Sequence, residues 1–542
     1  MTQRRGRKAP RSFPRHGVRH VTHAFNISRR GLLAMAGAGL ASATLPAALF
    51  AQQGRNILII ASGQDIPNFD PHVASGYSAS FLMRNVYDPL VRVAGESAEP
   101  VPGLAQSWEN SEDGLVWTFQ LNPDAVFHSG APVTAADVVY SFERALRLAK
   151  GNSWMIRGIV QPGQIEAVDD HTVRFTLDAP FAAFLAVMPW IFVAEQAQVE
   201  ANLGEDDGQT WLMSNEAGSG PFTVERFQVG TMYYLARAEN AWQPEGGNLD
   251  GVIWQIVRET ATQRLMLQRG EAHVAVDLTS EDMDALEGAP GVVRVIEPEY
   301  RTFSIKMNTA QGPMADVNLR RAISHAVDYE AILASAGYAE LMTGPLPNGI
   351  FGFDPDLDVP RQDLDKAREY LAQTEWADGG LTLRMVHVSG LEQQRRWSLI
   401  LLDNLRALNI GLEIQPLNWP DMVAACASPE TFPDLFPVYQ TANYGDPDNI
   451  AYAAYHSSRN GGWSNAVYAN PEVDALIEAG RVETDPEKRA AIYLEFQKAV
   501  VADAPDIFGV LENRKLGLRE AVQGYRFTPV ASNAIEAWPL SL

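Results

Sequence analysis

Cysteine is almost absent from this sequence: Cys426 is the only one in 542 residues. A single thiol excludes an intramolecular disulfide framework and any multi-cysteine metal centre. It also lies far from the N-terminus, so no lipid-anchor acceptor is expected there. Long apolar runs are missing too. No second stretch approaches the roughly 18 apolar residues that a membrane-spanning helix needs. The familiar catalytic signatures, H-E-x-x-H, G-x-S-x-G, the P-loop and C-x-x-C, do not occur. The ten histidines are scattered and read as core or surface residues. No enzyme activity, cofactor or metal is expected. An exported hydrolase, the competing class, predicts a nucleophile beside a base, and none is legible.

Basic residues are scarce except at one end. The formal charge is −23, from 43 Lys and Arg against 66 Asp and Glu. Nine of the basic residues fall within residues 1–51, which hold no acid. The remainder therefore carries 34 basic against 66 acidic residues, a net of −32. Phosphate backbones repel such a body, which excludes nucleic acid as a partner. The acidity is that of a well-solvated surface.

The basic end has its own logic. Arg29-Arg30 precede a mildly apolar stretch broken by Gly37, Gly39, Ser42, Thr44 and Pro46, then small residues up to Ala51. This is the layout of a twin-arginine export signal, not of a membrane anchor. Cleavage after Ala51 would leave a mature protein free in the periplasm.

Helical and strand signals interleave along the rest, which predicts an α/β chain. Strands are expected at 56–63, 116–121, 171–177, 222–227 and 252–257, and helices at 263–270, 318–327, 363–373 and 486–503. Thr134, with Asp137 three residues on, starts another helix as a short capping box. Its apolar stripe is Val138, Val139, Phe142 and Leu146. Trp117 and Phe119 share one strand face, and Gly218, Gly220 and Pro221 mark a turn.

Several of these segments, in order, resemble one family. They are Glu99–Leu146 (with PGLAQSW, DGLVWTFQL and FHSGAPVTAADVV), Gly218–Trp242, Lys306–Ile332, and the loop GDPDN at 445–449. The chain is similar to the extracytoplasmic solute-binding proteins of ABC importers, family 5, of the peptide, nickel and oligopeptide type. The resemblance implies a class II periplasmic binding protein, α/β, with two hinged lobes and an extra inserted domain. The implied division is a signal peptide (1–51), one lobe (52–93, 215–308 and 510–542) carrying an extra domain (94–214), and a second lobe (309–509). The chain then crosses between lobes near 300–308 and 510–515. The implied partners are a small-molecule or peptide solute and an ABC permease with its ATPase, served by a monomer.

The resemblance also implies a site. Ser75, Gly76 and Tyr77 would face Tyr439, Gln440, Thr441 and Asn443 across the cleft, with Trp419 as a stacking aromatic. Peptide-binding relatives place an aspartate, for the ligand's ammonium, where this chain has Asn443. Val388 stands where dipeptide-binding relatives have an arginine. Asp446 is then the candidate to supply the missing charge, and Arg301 an anion partner or a solvent-exposed residue. A peptide bound through Asp446, an oligosaccharide, an opine-like compound and a metal chelate all remain consistent solutes.

Overall fold

The computed structural model describes residues 54–94, 98–244, 246–465, 467–530 and 535–542, and of Tyr77 the backbone alone. Arg29-Arg30 and the cleavage point at Ala51 lie outside the described residues. Residues 55–542 form one compact unit. No described helix is long and apolar enough to cross a membrane.

The local signals fold as the residues dictate. Ile57–Ser62 is a strand buried on both faces, as a continuous apolar run requires. The helix Ala135–Leu148 opens with the expected capping box. Asp137 Oδ2 accepts from the Thr134 amide at 3.0 Å and from its hydroxyl at 2.7 Å. The Gly218–Pro221 turn needs glycine for a reason other than backbone angle. A Cβ on Gly218 would sit 1.9 Å from the Val86 carbonyl oxygen, and one on Gly220 2.5 Å from the Val86 carbonyl carbon.

An antiparallel four-stranded sheet runs Ala105–Asn110, Val116–Leu121, Thr172–Thr176, Ile165–Asp169. The helix Ala135–Leu148 packs Phe142 edge-on to Phe175, which meets Phe119 in the same way. Full enclosure of each ring contributes about 1.5–3 kcal/mol.

The larger sheet has eleven strands and organises everything else. At one end Ile57–Ser62 runs parallel to Gly251–Ile256 and Val274–Ala275. At the other, Thr382–Val388 runs parallel to Gly411–Leu417 and beside Leu435–Thr441. Two long antiparallel strands, Val292–Met307 and Asp506–Arg519, join the ends. The first of them pairs with Leu435–Thr441 only from Arg301 onward. Their ladder is broken between Pro298, opposite Asn513, and Thr302, opposite Leu511. Four steps on one strand answer two on the other, so Glu299, Tyr300 and Arg301 bulge where the sheet changes partner.

Candidate binding site at the crossing strands

Strand periodicity sets the site. Phe303 pairs with Tyr439 and Arg301 with Thr441, so these four residues share one face. Phe303 and Tyr439 are stacked, with centroids 4.2 Å apart. The Arg301 guanidinium lies over the Tyr439 ring at 4.3 Å and 3.6 Å from Glu512 Oε2. Burial, then the Glu512 charge, pushes the Tyr439 phenol above its ordinary pKa, so it stays a neutral donor.

This face floors a cavity of about 570 Å³, within the usual range for small-molecule sites. Glu299, Arg301, Glu512 and Arg514 line it from the crossing strands, and Tyr439 from the neighbouring strand Leu435–Thr441. Residues 276–281 and 284 form a wall from one end of the sheet, and 334–337, 392, 393 and 396 a wall from the other. The walls touch. Tyr338 donates to Asp284 at 2.5 Å, the Ser280 hydroxyl donates to the Ala336 carbonyl at 3.4 Å, and Arg396 lies 3.8 Å from Glu281.

Tyr439, expected at the site, does line this cavity. Thr441 shares its face and is half-buried. Gln440 points to the opposite face, where its amide donates to the Ser464 carbonyl and hydroxyl, both at 2.9 Å. Its side chain is thus committed away from the cavity. Asn443 is half-buried, and its backbone N–H donates to Asn449 Oδ1 at 3.1 Å.

Asp446 does not offer the free carboxylate expected of it. Arg489 takes both oxygens at 2.7 Å, and the Asp448 amide donates to Oδ1 at 2.9 Å. Burial alone would lower the Arg489 pKa, but the bonds to Asp446 hold it above its ordinary value. Asp448 is matched likewise, by Arg481 at 3.2 Å and the Tyr444 hydroxyl at 2.9 Å. The GDPDN loop is therefore a buried charge lock that begins the helix Asp448–Tyr455.

Trp419 is exposed, edge-on to Trp463, and does not line the cavity. Ser75 and Gly76 are exposed ahead of the helix Tyr77–Val86, and neither lines it. Val388 packs into the core beside Phe436. Arg301, for which solvent exposure was one expectation, lines the cavity instead, stacked on Tyr439. Sequence reasoning missed Glu299, Glu512 and Arg514. The available signal was charge inside the otherwise apolar strand runs VVRVIEPEYRTFSI and IFGVLENRKLGL, where a buried ion needs a purpose or a partner.

The description "Bacterial extracellular solute-binding proteins, family 5 Middle" matches residues 99–462. The chain is a family 5 solute-binding protein. It is 29% identical over 491 residues to a probable D,D-dipeptide-binding periplasmic protein of Escherichia coli, covering 88% of this chain and 92% of that one. It is 28% identical over 488 residues to heme-binding protein A of Haemophilus influenzae, covering 84% and 88%. Its fold is similar to that of the Helicobacter pylori periplasmic binding protein DppA in complex with the peptide STSA. The TM-score there is 0.78 at 24% identity, covering 91% of this chain and 99% of that one. A binding protein from Agrobacterium tumefaciens in complex with mannopinic acid gives a TM-score of 0.73 at 25% identity, covering 89% and 99%. The mixed α/β architecture is thus that of class II periplasmic binding proteins. This family 5 protein captures a small solute for the membrane permease of an ABC importer, and its relatives are binding proteins, not enzymes.

Proposed function

We propose that the solute is a peptide or peptide-like compound, held in the cavity at the crossing strands. The observation that carries this reading is the position of that cavity. Its walls come from both ends of the large sheet, and its floor from the two strands that join them. Residues 52–93, 215–308 and 510–542 then form one lobe, with 94–214 upon it, and 309–509 form the other. The broken ladder at Pro298–Thr302, opposite Leu511–Asn513, supports a hinge at that point. The solute stabilises the closed form by its differential affinity for it. Tyr439 meets the solute inside the cavity, while Thr441 and Asn443 from one lobe and Ser75, Gly76 and Tyr77 from the other meet only the part of it that extends beyond the cavity lining.

The chain reaches the periplasm through Arg29-Arg30 and the twin-arginine route, and acts as a monomer. An ABC permease with its own ATPase is the partner. Peptide affinity is supported by the names of the E. coli and H. pylori relatives. A second reading, a non-peptide solute such as an opine-like compound, an oligosaccharide or a metal chelate, is favoured by the uncharged Asn443. The relatives that bind heme and mannopinic acid support the same reading.

Uptake tests the proposal. Cells lacking this chain, supplied with an isotope-labelled tryptic digest, should lose import of short peptides and regain it when the chain is restored. Unchanged peptide import in the deletion strain contradicts the peptide reading.

A further inference from the structure

The cavity floor carries two acids, Glu299 and Glu512, against three cations, Arg301, Arg514 and Lys515, yet one of the acids is not paired. Glu299 and Arg301 stand two residues apart on the first crossing strand, Glu512 and Arg514 two apart on the second, and all four line the cavity. Arg301 is engaged by Tyr439 and Glu512. Glu299 is not matched. It is 3% exposed, its Oε1 has no hydrogen-bond partner, and no ion pair joins it to Arg301, Arg514 or another described residue. Asn513, opposite the neighbouring Pro298, also lines the cavity with a buried, unpartnered Oδ1. Two buried acceptors without donors, one of them on an acid, thus belong to residues that line a space of solute size. A buried carboxylate without a counter-charge is costly. A water molecule brings donors but no charge, whereas an ammonium brings both.

We propose that Glu299, with Asn513 beside it, receives a protonated amine of the solute. The charge that peptide-binding relatives are expected to carry at the Asn443 position would then be supplied from the hinge strand. The inference rests on the capture reading above and names the chemical class that the site selects: an amine-bearing cation, with neutral sugars excluded.

The probe is the low-molecular-mass extract of bacterial cells grown in peptide-rich medium, used untreated and after acetylation of its amines. The readout is the thermal unfolding midpoint of the mature protein across an extract dilution series. Untreated extract should raise the midpoint of the wild type, and acetylated extract should not. Glu299→Gln, which mimics a protonated carboxyl and removes an unpaired buried charge, should unfold without extract at or above the wild-type midpoint and need roughly thirtyfold more extract for the same shift. Acetylated extract that stabilises the wild type as well as untreated extract overturns the proposal, and that arm requires no variant. A Glu299→Gln protein that responds like the wild type overturns it as well. A wild type that responds to neither extract tells instead against the capture reading and removes the ground of this inference with it.

Discussion

Arg489 holds Asp446 through two parallel N–H···O bonds, each 2.7 Å long. The pair is buried, and Arg489 also donates to the Gly480 carbonyl at 2.7 Å. Removing one partner of such a pair strands the other charge, at a cost of about 3–5 kcal/mol. Asp446→Asn is therefore expected to lower stability in urea unfolding by roughly that amount. Solute affinity of the folded fraction should stay within a few-fold of wild type. Full stability with lost affinity would mean that Asp446 touches the solute after all.

His72 gives the fold a pH dependence of definite sign. Arg144 can only donate, so His72 Nδ1 accepts from it at 2.8 Å and Nε2–H donates to the Phe192 carbonyl at 3.0 Å. The ring is thereby fixed as a neutral tautomer. Burial, then the Arg144 charge, holds its pKa down to about 4 from an ordinary 6.5. The unfolded chain takes up this proton first as pH falls. The contribution is thus complete above about pH 6.5 and is lost as pH drops towards 4. His72→Gln is expected to flatten the wild-type loss of stability between about pH 7 and 5 by roughly 2 kcal/mol. Denaturant unfolding of both proteins at the two pH values measures it, and identical pH slopes would contradict the assignment.

Asn443→Asp restores the acid at the position where peptide-binding relatives are expected to carry one. With Glu299 receiving the amine, the new carboxylate should leave the response to cell extract within about threefold of wild type, since exposed or half-exposed charge pairs contribute roughly 0–1 kcal/mol. A tenfold or larger gain would return the amine to the 443 position.

The leader is tested separately. Arg29-Arg30→Lys-Lys should leave precursor in the cytoplasm and empty the periplasm of mature protein, read by fractionation and immunoblot. Undiminished export would reject the twin-arginine route.

What was legible in the sequence was local. Thr134 and Asp137 announced their helix because a capping box acts within four residues. The alternation around Trp117 and Phe119 announced a strand for the same reason. The cavity floor was not legible, because it depends on pairing across distance. Arg301 meets Tyr439 and Glu512 only once its strand lies between two others remote in sequence. Asp446 misled for the same cause: its neutralising partner, Arg489, is 43 residues away, in the helix Pro486–Asp503. Gln440 sits one residue from Tyr439, yet strand alternation turns it to the other face.

The most direct measurement is the native mass of mature protein isolated from periplasm without denaturation, followed by unfolding and identification of what is released. The account predicts an excess mass of a single small molecule per chain, and a released compound that bears an amine. A native mass equal to that of the bare polypeptide, in cells actively importing solutes, would contradict it.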